Sequence, residues 1–318
     1  MTRSRKITVI TPVYNGEKYL EETLQSIREQ HDVDYEHIVV NDGSTDGSES
    51  IINRIATTYE LGRFKYIKQS NTGEARAVNR AFLEASGEYV VVVNADDPLR
   101  PEALRKLTSA LDANPKVCVA YPDWVMIDQD GFEISHITTK EFSVEALIGD
   151  LVCIPGPAAV VRRAVMPSNF DLREGNLRYI SDYELWLRMS LIGPFMRVPE
   201  ELATWRQHDE SATSRGQGLP IALEILSVTE SFRLRDDLPE NIKRLTRQIK
   251  AMAKYQAALH KLHDKKVPGR RWALQSVIIV FKRQPKEIAY RRNLFLICAV
   301  LVHPIGQMII KKLKGKRS

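Results

Sequence analysis

The 318-residue sequence predicts an α/β fold with a mixed sheet and a helical, basic C-terminal extension. Three observations carry that expectation. Short β-branched runs alternate with amphipathic helical patterns through about the first 120 residues, as βαβ units of a parallel sheet require. A hairpin pattern follows, which makes the sheet mixed. From Pro220 onward the pattern is helical and the charge turns strongly positive.

The first strand is Ile7 to Thr11, and Leu20, Leu24 and Ile27 mark one face of the helix after it. A second strand, Tyr35 to Val40, leads into the turn Asn41 to Ser48. Ile51, Ile52, Ile55 and Tyr59 mark the next helix, Gly62 fits a left-handed cap, and Phe64 to Lys68 reads as the third strand. The helix Glu74 to Ala85 ends at Gly87. Tyr89 to Val93 is continuously apolar, as a strand buried on both faces must be. Pro98 and Pro101 stop the chain and restart it as a helix through Leu104, Leu107 and Leu111. After a strand at Val117 to Tyr121, the runs Trp124 to Asp128 and Phe132 to Ile134 flank the turn Gln129 to Gly131 as a hairpin. Pro239, Pro268, Gly269, Pro285 and Pro304 punctuate the helical end. The expected division is a binding and catalytic domain over 1–219 and a helical region over 220–318.

Composition narrows the class. With 43% hydrophobic and 27% charged residues, the chain is neither disordered nor collagen-like. Its three cysteines, Cys118, Cys153 and Cys298, are widely spaced, form no metal-ligand pattern and suit a reducing compartment. The basic Met1 to Lys6 precedes only a short strand ending at Pro12, so no secretory leader is expected and the body is expected in the cytoplasm. The net charge of +6 conceals an asymmetry of −12 over 1–240 against +18 over 241–318. Such a tail suits a polyanion, either nucleic acid or an anionic membrane surface.

In an open α/β sheet, ligands bind outside the carboxyl ends of the strands. Those ends are rich in polar residues here: Thr11-Pro12-Val13-Tyr14-Asn15, Asn41-Asp42-Gly43-Ser44-Thr45-Asp46, and Asn94-Ala95-Asp96-Asp97. Carboxylates gathered at one crevice repel one another unless a cation compensates, and hard oxygen ligands favour Mg²⁺ or Mn²⁺. Such an ion completes its shell with substrate phosphates, so a nucleotide-diphosphate ligand is expected. Neither GxGxxG after the first strand nor GxxxxGK[ST] is present, which excludes a dinucleotide dehydrogenase and a P-loop NTPase.

The runs ITVITPVYNGEKYLEETLQSI, HIVVNDGSTDGS and NTGEARAVNRAFLEASGEYVVVVNADD resemble the family 2 glycosyltransferases of the GT-A fold. YPDWVMIDQDG, PGPAAVVRR, SDYELWLRMSLIG and LATWRQHDESAT continue the resemblance in the family's order, over about residues 7 to 214. It implies a Rossmann-like mixed sheet flanked by helices. It further implies that Thr11, Pro12, Tyr14 and Asp42 line the nucleobase and ribose site, with Asn71, Gly73 and Asn79 against the donor. Asp96 matches the last carboxylate of the family's DxD metal motif, and Asp97 lies beside it. Asn94 stands at that motif's first position, a departure from the family pattern. His208 resembles the residue that reaches the diphosphate or the metal; Asn94, Asp96 and Arg206 complete the donor-binding set. Asp182 falls on the catalytic base, with Ser181 where another acidic residue is often found.

The implied reaction is a single displacement with inversion. Mn²⁺ or Mg²⁺, held by Asp96, Asp97 and His208 with Arg206 nearby, would stabilise charge on the departing diphosphate. Asp182 would take the proton of an acceptor hydroxyl. A helix start favours a charged carboxylate, which burial against Tyr183 or Trp186 would have to oppose in a base. Each residue has a plainer alternative. Asp42 and Asp46 suit Asx turns, Asp96 could cap a helix, and Asp182 could favour a helix N-terminus. His208 could be an ordinary surface histidine. Trp124, Trp186 and Trp205 could be core or could stack on a sugar.

The partners expected are a nucleotide-sugar donor, a saccharide or lipid-linked acceptor, and an anionic membrane surface, without nucleic acid. Cell-surface polysaccharide synthesis is the expected setting. Leu294 to Ile310 is nearly uncharged but spans about 25 Å as a helix, short of a bilayer core of about 30 Å. Arg291 and Arg292 before it and Lys311, Lys312, Lys314, Lys316 and Arg317 after it favour the cytoplasmic side. An in-plane or re-entrant anchor over 291–314 is therefore expected, assisted by the basic Lys243 to Arg292 stretch and peripheral on the inner membrane face. The alternative is a soluble helix packing Leu296, Val300 and Ile305 on the catalytic domain. A nucleotidyltransferase would need a basic Gly-rich loop where Tyr14-Asn15-Gly16-Glu17 stands, and a nucleic-acid binder would need aromatic residues among the tail's cations. Donor, acceptor and linkage depend on loops such as 152–163 and 170–180.

Overall fold

The computed structural model describes residues 6–209, 211 and 219–263. The expected anchor over 291–314 lies outside them. Four βαβ-type strands form as the periodicity predicts: β1 (Ile7–Val13), β2 (Tyr35–Asp42), β3 (Phe64–Gln69) and β4 (Tyr89–Val92). Between and after them run α1 (Leu20–Arg28), α2 (Ser48–Ala56), α3 (Glu74–Phe82) and α4 (Ala103–Ala113). The hairpin strands are β5 (Val119–Ile127) and β6 (Glu133–Ile137), followed by the short helix α5 (Val144–Gly149). Then come β7 (Val160–Arg162), α6 (Ser181–Met189) and β8 (Phe195–Arg206). The sheet order is β3-β2-β1-β4-β7-β5-β6, with β8 also on β5.

β1 to β4 are parallel, while β7 runs against both β4 and β5. All seven residues of β1 are buried, which is why it carries no polar alternation. Leu20, Leu24 and Ile27 of α1 are fully buried, each contributing about 2 kcal/mol by leaving water. They join two clusters on one sheet face, with Val9 and Val91 in one and Val13, Val39 and Ile52 in the other. α3 packs on β1 and β2.

Two differences from the sequence expectation have a physical cause. The strand at Val117 to Tyr121 does not end before Trp124: β5 runs through Pro122. Its pairing with β8 shifts register at Pro122 and Asp123, and such a bulge accommodates a residue without a backbone N–H. β7 and β8 were not separate strands in the sequence pattern, because their partners lie on distant segments.

The chain divides into two compact units, Met1–Leu147 with Val152–Ser211 and Ile148–Leu151 with Ala212–Ser318. In the second, α7 (Leu219–Arg233) and α8 (Glu240–His263) pack together. Val228, Phe232, Ile242, Ile249 and Ala253 are among its buried residues. Among the described residues no helix is long and apolar enough to cross a membrane.

Candidate active site

The carboxyl ends of the four parallel strands meet on one side of the first unit, and paired loops shape that edge. The β1–α1 turn is laced to the β2–α2 turn. Thr45 N–H donates to Asn15 Oδ1 (2.8 Å), Glu17 N–H to Asp46 Oδ2 (2.9 Å) and Gly16 N–H to the Ser48 hydroxyl (3.0 Å). Asp46 is therefore a loop-tying residue, as its turn sequence allows. Tyr14, just beyond β1, stands 54% exposed and is free to meet a planar ligand.

Asp42 ends β2 and is buried. Its Oδ1 accepts from Gln69 Nε2 (2.8 Å), the Thr72 N–H (2.9 Å) and the Thr72 hydroxyl (3.2 Å), and its Oδ2 accepts from the Gly73 N–H (2.8 Å). A carboxylate has about four acceptor positions, so Asp42 is largely consumed by the loop that presents Asn71 and Gly73. Gly73 has φ 95°, in the region that favours glycine, and opens α3.

Three other expected donor contacts point elsewhere. Thr11 is fully buried, and its hydroxyl lies 2.9 Å from Nε2 of His37, which in turn lies 2.8 Å from Tyr59 Oη. Burial pushes His37 down to about 3, so the ring is neutral and this chain of contacts is core structure. Pro12 is likewise buried within β1. Asn79 spends both ends of its amide on Arg173: Nδ2 donates to the Arg173 carbonyl (2.7 Å) and Oδ1 accepts its N–H (2.8 Å). It pins the 170–180 loop to α3 rather than facing a donor.

The turn after β4 holds the strongest candidate metal site. His208 follows β8, and its Nε2 lies 2.9 Å from Asp96 Oδ2; the ring packs 4.8 Å from that of Tyr19. With its side chain only 9% exposed, His208 is not an ordinary surface histidine. Asp97, expected as a ligand beside Asp96, is turned into the protein instead. Its Oδ1 accepts the Arg206 N–H (2.8 Å) and its Oδ2 accepts from Asn94 Nδ2 (3.1 Å). Burial, then the neighbouring Asp96 charge, pushes the Asp97 carboxyl well up, which favours its neutral form. Asn94 is exposed at the same turn.

Arg206 departs from the expected phosphate clamp as well. Its side chain is buried, and its guanidinium donates to the carbonyls of Asp96 (3.0 Å) and Asp128 (3.1 Å) and to Glu22 Oε2 (2.6 Å). The same group lies over the Tyr19 ring at 4.7 Å. Arg206 is a post that fixes the Asp96 backbone.

The 2.9 Å separation is a hydrogen-bond distance, and it is also a spacing that two ligands of one octahedral ion can have. Donors at adjacent corners of an octahedron, each about 2.0–2.1 Å from the metal, stand about 2.9 Å apart. The carboxylate oxygen suits Mn²⁺ or Mg²⁺, and the imidazole nitrogen favours the transition ion Mn²⁺ over Mg²⁺. Among the described residues no group of three protein ligands is assembled, so a bound ion would take its other ligands from substrate and water.

Across the recess stands Asp182, in the first turn of α6, partly buried, with Oδ1 accepting the Tyr183 N–H (2.7 Å). Tyr183 and Trp186 are buried beside it in the helix. Trp124 and Trp205 pack edge to face at 5.8 Å. Three residues not singled out in the sequence complete this side: Glu74 at the start of α3, Cys153 and Arg173. Cys153 Sγ lies 3.9 Å from Asp182 Oδ2. The surrounding protein, then the Asp182 and Asp96 charges, pushes the Glu74 carboxyl up, while Arg173 opposes that shift. Desolvation by the surrounding protein, then the Asp182 charge, pushes the thiol of the solvent-accessible Cys153 up. Glu74 thus lies within electrostatic reach of both Asp96 and Asp182. Nothing in the local sequence around Arg173 announces its burial.

This architecture is the GT-A glycosyltransferase fold. Staphylococcus aureus TarS 1–349, crystallised with UDP-GlcNAc, superposes with a TM-score of 0.67 at 20% identity, covering 87% of this chain and 81% of that one. The mannosyltransferase PcManGT of Pyrobaculum calidifontis, in complex with GDP-Man and Mn²⁺, gives 0.59 at 18% identity, covering 94% and 87%. The family model described as glycosyl transferase family 2 matches residues 8–166, and the chain belongs to that family. An uncharacterized glycosyltransferase of Nostoc sp. is 28% identical over 210 residues, 64% of this chain and 65% of that protein. The O-antigen biosynthesis protein RfbC of Myxococcus xanthus is 30% identical over 225 residues, 70% of this chain but 17% of RfbC. The chain therefore spans less than two thirds of either relative.

Proposed function

We propose that the protein is an inverting glycosyltransferase that moves one sugar from a nucleotide-diphosphate donor to a hydroxyl of a saccharide or lipid-linked acceptor. The observation that carries this reading is the pairing of Asp96 with His208 at 2.9 Å, with Glu74 within electrostatic reach of both Asp96 and Asp182. The bound UDP-GlcNAc of TarS and the GDP-Man and Mn²⁺ of PcManGT support the donor class and the metal. RfbC, by its role in O-antigen biosynthesis, supports a surface polysaccharide as the product.

Asp96 and His208 would hold Mn²⁺ or Mg²⁺, which when bound supplies positive charge to the diphosphate leaving group. Arg206 keeps Asp96 in place through its backbone carbonyl. Asn71 and Gly73, on the loop braced by Asp42, and the exposed Tyr14 form the nucleotide side of the recess. Asp182 takes the proton from the acceptor hydroxyl as its oxygen bonds to the anomeric carbon. The bond from that carbon to the diphosphate oxygen breaks, and its electron pair leaves with the nucleoside diphosphate.

Thermal unfolding in the presence of UDP, GDP or dTDP, with and without Mn²⁺, tests the reading. A ligand that favours the native state raises its melting point, by about 2.7 kcal/mol of stability at a hundred times Kd. At least one nucleotide is expected to act only with Mn²⁺, and Asp96→Ala is expected to remove the metal-dependent part. No Mn²⁺-dependent response to any nucleotide would reject the proposal.

The cytoplasmic face of a membrane is the proposed location, supported by the +18 charge of 241–318. The full chain is expected to sediment with anionic vesicles at low salt and to be released as salt rises. Truncation at Pro285 should weaken that binding; full recovery in the soluble fraction, unchanged by truncation, would defeat the anchor.

A further inference from the structure

Arg173 is 9% exposed, and its Nε and Nη1 have no hydrogen-bond partner. No ion pair engages it among the described residues. A guanidinium is permanently charged and offers five donors in a planar fork. Burying such a group without a partner costs stability, so its position has to be imposed by the fold. Here it is: Asn79 clamps the Arg173 backbone from both sides at 2.7 and 2.8 Å, and the next turn is held where Asn176 Oδ1 accepts from Arg76 (3.0 Å). The loop that carries it is held between α3 and the helix of Asp182: Asn79 grips Arg173 from α3, and Arg188 of α6 donates to the Asp171 carbonyl at 2.8 Å, so its charge reaches Glu74 and Cys153.

We infer that Arg173 is a specificity-determining residue that binds an oxyanion, a carboxylate or a phosphate, on the reacting sugar or on the acceptor, at the Asp182 side of the recess. The inference rests on the reading of this recess as the transfer site and names what that site selects. A neutral sugar leaves the buried guanidinium donors without a charged acceptor, whereas a carboxylate or phosphate meets them with charge-assisted, bidentate hydrogen bonds. Discrimination then comes from the penalty a neutral substrate leaves unrelieved.

The test compares the full-length protein with Arg173→Met, which keeps the volume and removes the charge, and with Arg173→Lys, which keeps the charge and removes the fork. Without ligand, R173M is expected to melt above wild type, since an unpaired buried cation is gone. Sodium D-glucuronate and glycerol 3-phosphate are the probes, with D-glucose and glycerol as neutral controls at matched ionic strength. At least one anion is expected to stabilise wild type where its neutral control does not. R173M should bind that anion about thirty-fold or more weakly, and R173K should fall between. A response to glucuronate alone assigns the oxyanion to an acidic transferred sugar; a response to glycerol phosphate alone assigns it to a phosphorylated acceptor. No anion response in wild type, an equal response in R173M, or an R173M protein that melts below wild type overturns the inference. Mn²⁺-dependent stabilisation by nucleoside diphosphate, measured on the same R173M sample, reports separately on the transferase reading.

Discussion

Asp182→Asn is expected to lower kcat about a thousand-fold while leaving donor affinity within about two-fold of wild type. Asparagine matches aspartate in shape, and its carbonyl can still accept the Tyr183 N–H that Asp182 Oδ1 accepts at 2.7 Å. The side chain therefore stays placed, and only its capacity to take a proton is lost. Donor binding, followed by calorimetry in the presence of Mn²⁺, uses the Asp96 and His208 side of the recess and should be indifferent. Initial rates at saturating donor should carry the whole defect, which is the signature of a group that acts in the transition state alone. Glu74 supplies the necessary comparison, because its carboxyl, raised by the desolvation of the surrounding protein and then by the Asp182 and Asp96 charges, is the competing proton acceptor of the recess. A larger loss from Glu74→Gln than from Asp182→Asn would transfer the role of base to Glu74. Equal loss of binding and turnover in D182N would make Asp182 a donor ligand.

What the amino-acid pattern made legible was the frame. β1 and β4 stand out because a doubly covered strand has to be largely apolar, and their polar ends stand out against that background, while β3 shows through the alternation of FKYIKQ. β7 was hidden because the short Val160–Arg162 acquires meaning only when Tyr89 and Val119 arrive from elsewhere to pair with it, and β8 because Pro199, Glu200 and Glu201 interrupt its apolar pattern. Among the site residues, Asp96 meets His208 at 2.9 Å, and Glu74 feels the charges of both Asp96 and Asp182. The roles of Asp42, Asp97, Asn79 and Arg206 were harder to read, for a chemical reason. A carboxylate that accepts backbone N–H groups and one that meets a ligand are the same residue type at the same strand end, and only coordinates distinguish them. Arg173 is the converse case. In sequence it is one arginine in a polar loop, and it becomes informative only when burial and the absence of partners are known.

Arg206→Ala carries the second large expectation, and it falls on folding and metal affinity together. The substitution removes the donors to the Asp96 and Asp128 carbonyls, empties the space over Tyr19, and is expected to cost about 3–5 kcal/mol of stability. Its ion pair with Glu22 is a minor part of that, because Glu22 is 55% exposed at the side chain. Glu22→Gln should therefore cost under about 1 kcal/mol. The larger consequence is geometric. Asp96 and His208 lie on different segments, one after β4 and one after β8, and Arg206 bridges them: its N–H holds Asp97, its side chain holds the Asp96 carbonyl, and His208 is two residues on. Without that bridge nothing fixes the 2.9 Å approach that suits a divalent ion, so Mn²⁺-dependent nucleotide binding should weaken by more than the stability loss alone explains. Arg206→Lys separates the two effects, since a lysine restores a charge for Glu22 but cannot reach both carbonyls from a planar fork. Urea unfolding and Mn²⁺ titration of the three variants decide the matter: if R206A folds with native-like stability, or if it keeps wild-type Mn²⁺ affinity, Arg206 is not the bridge.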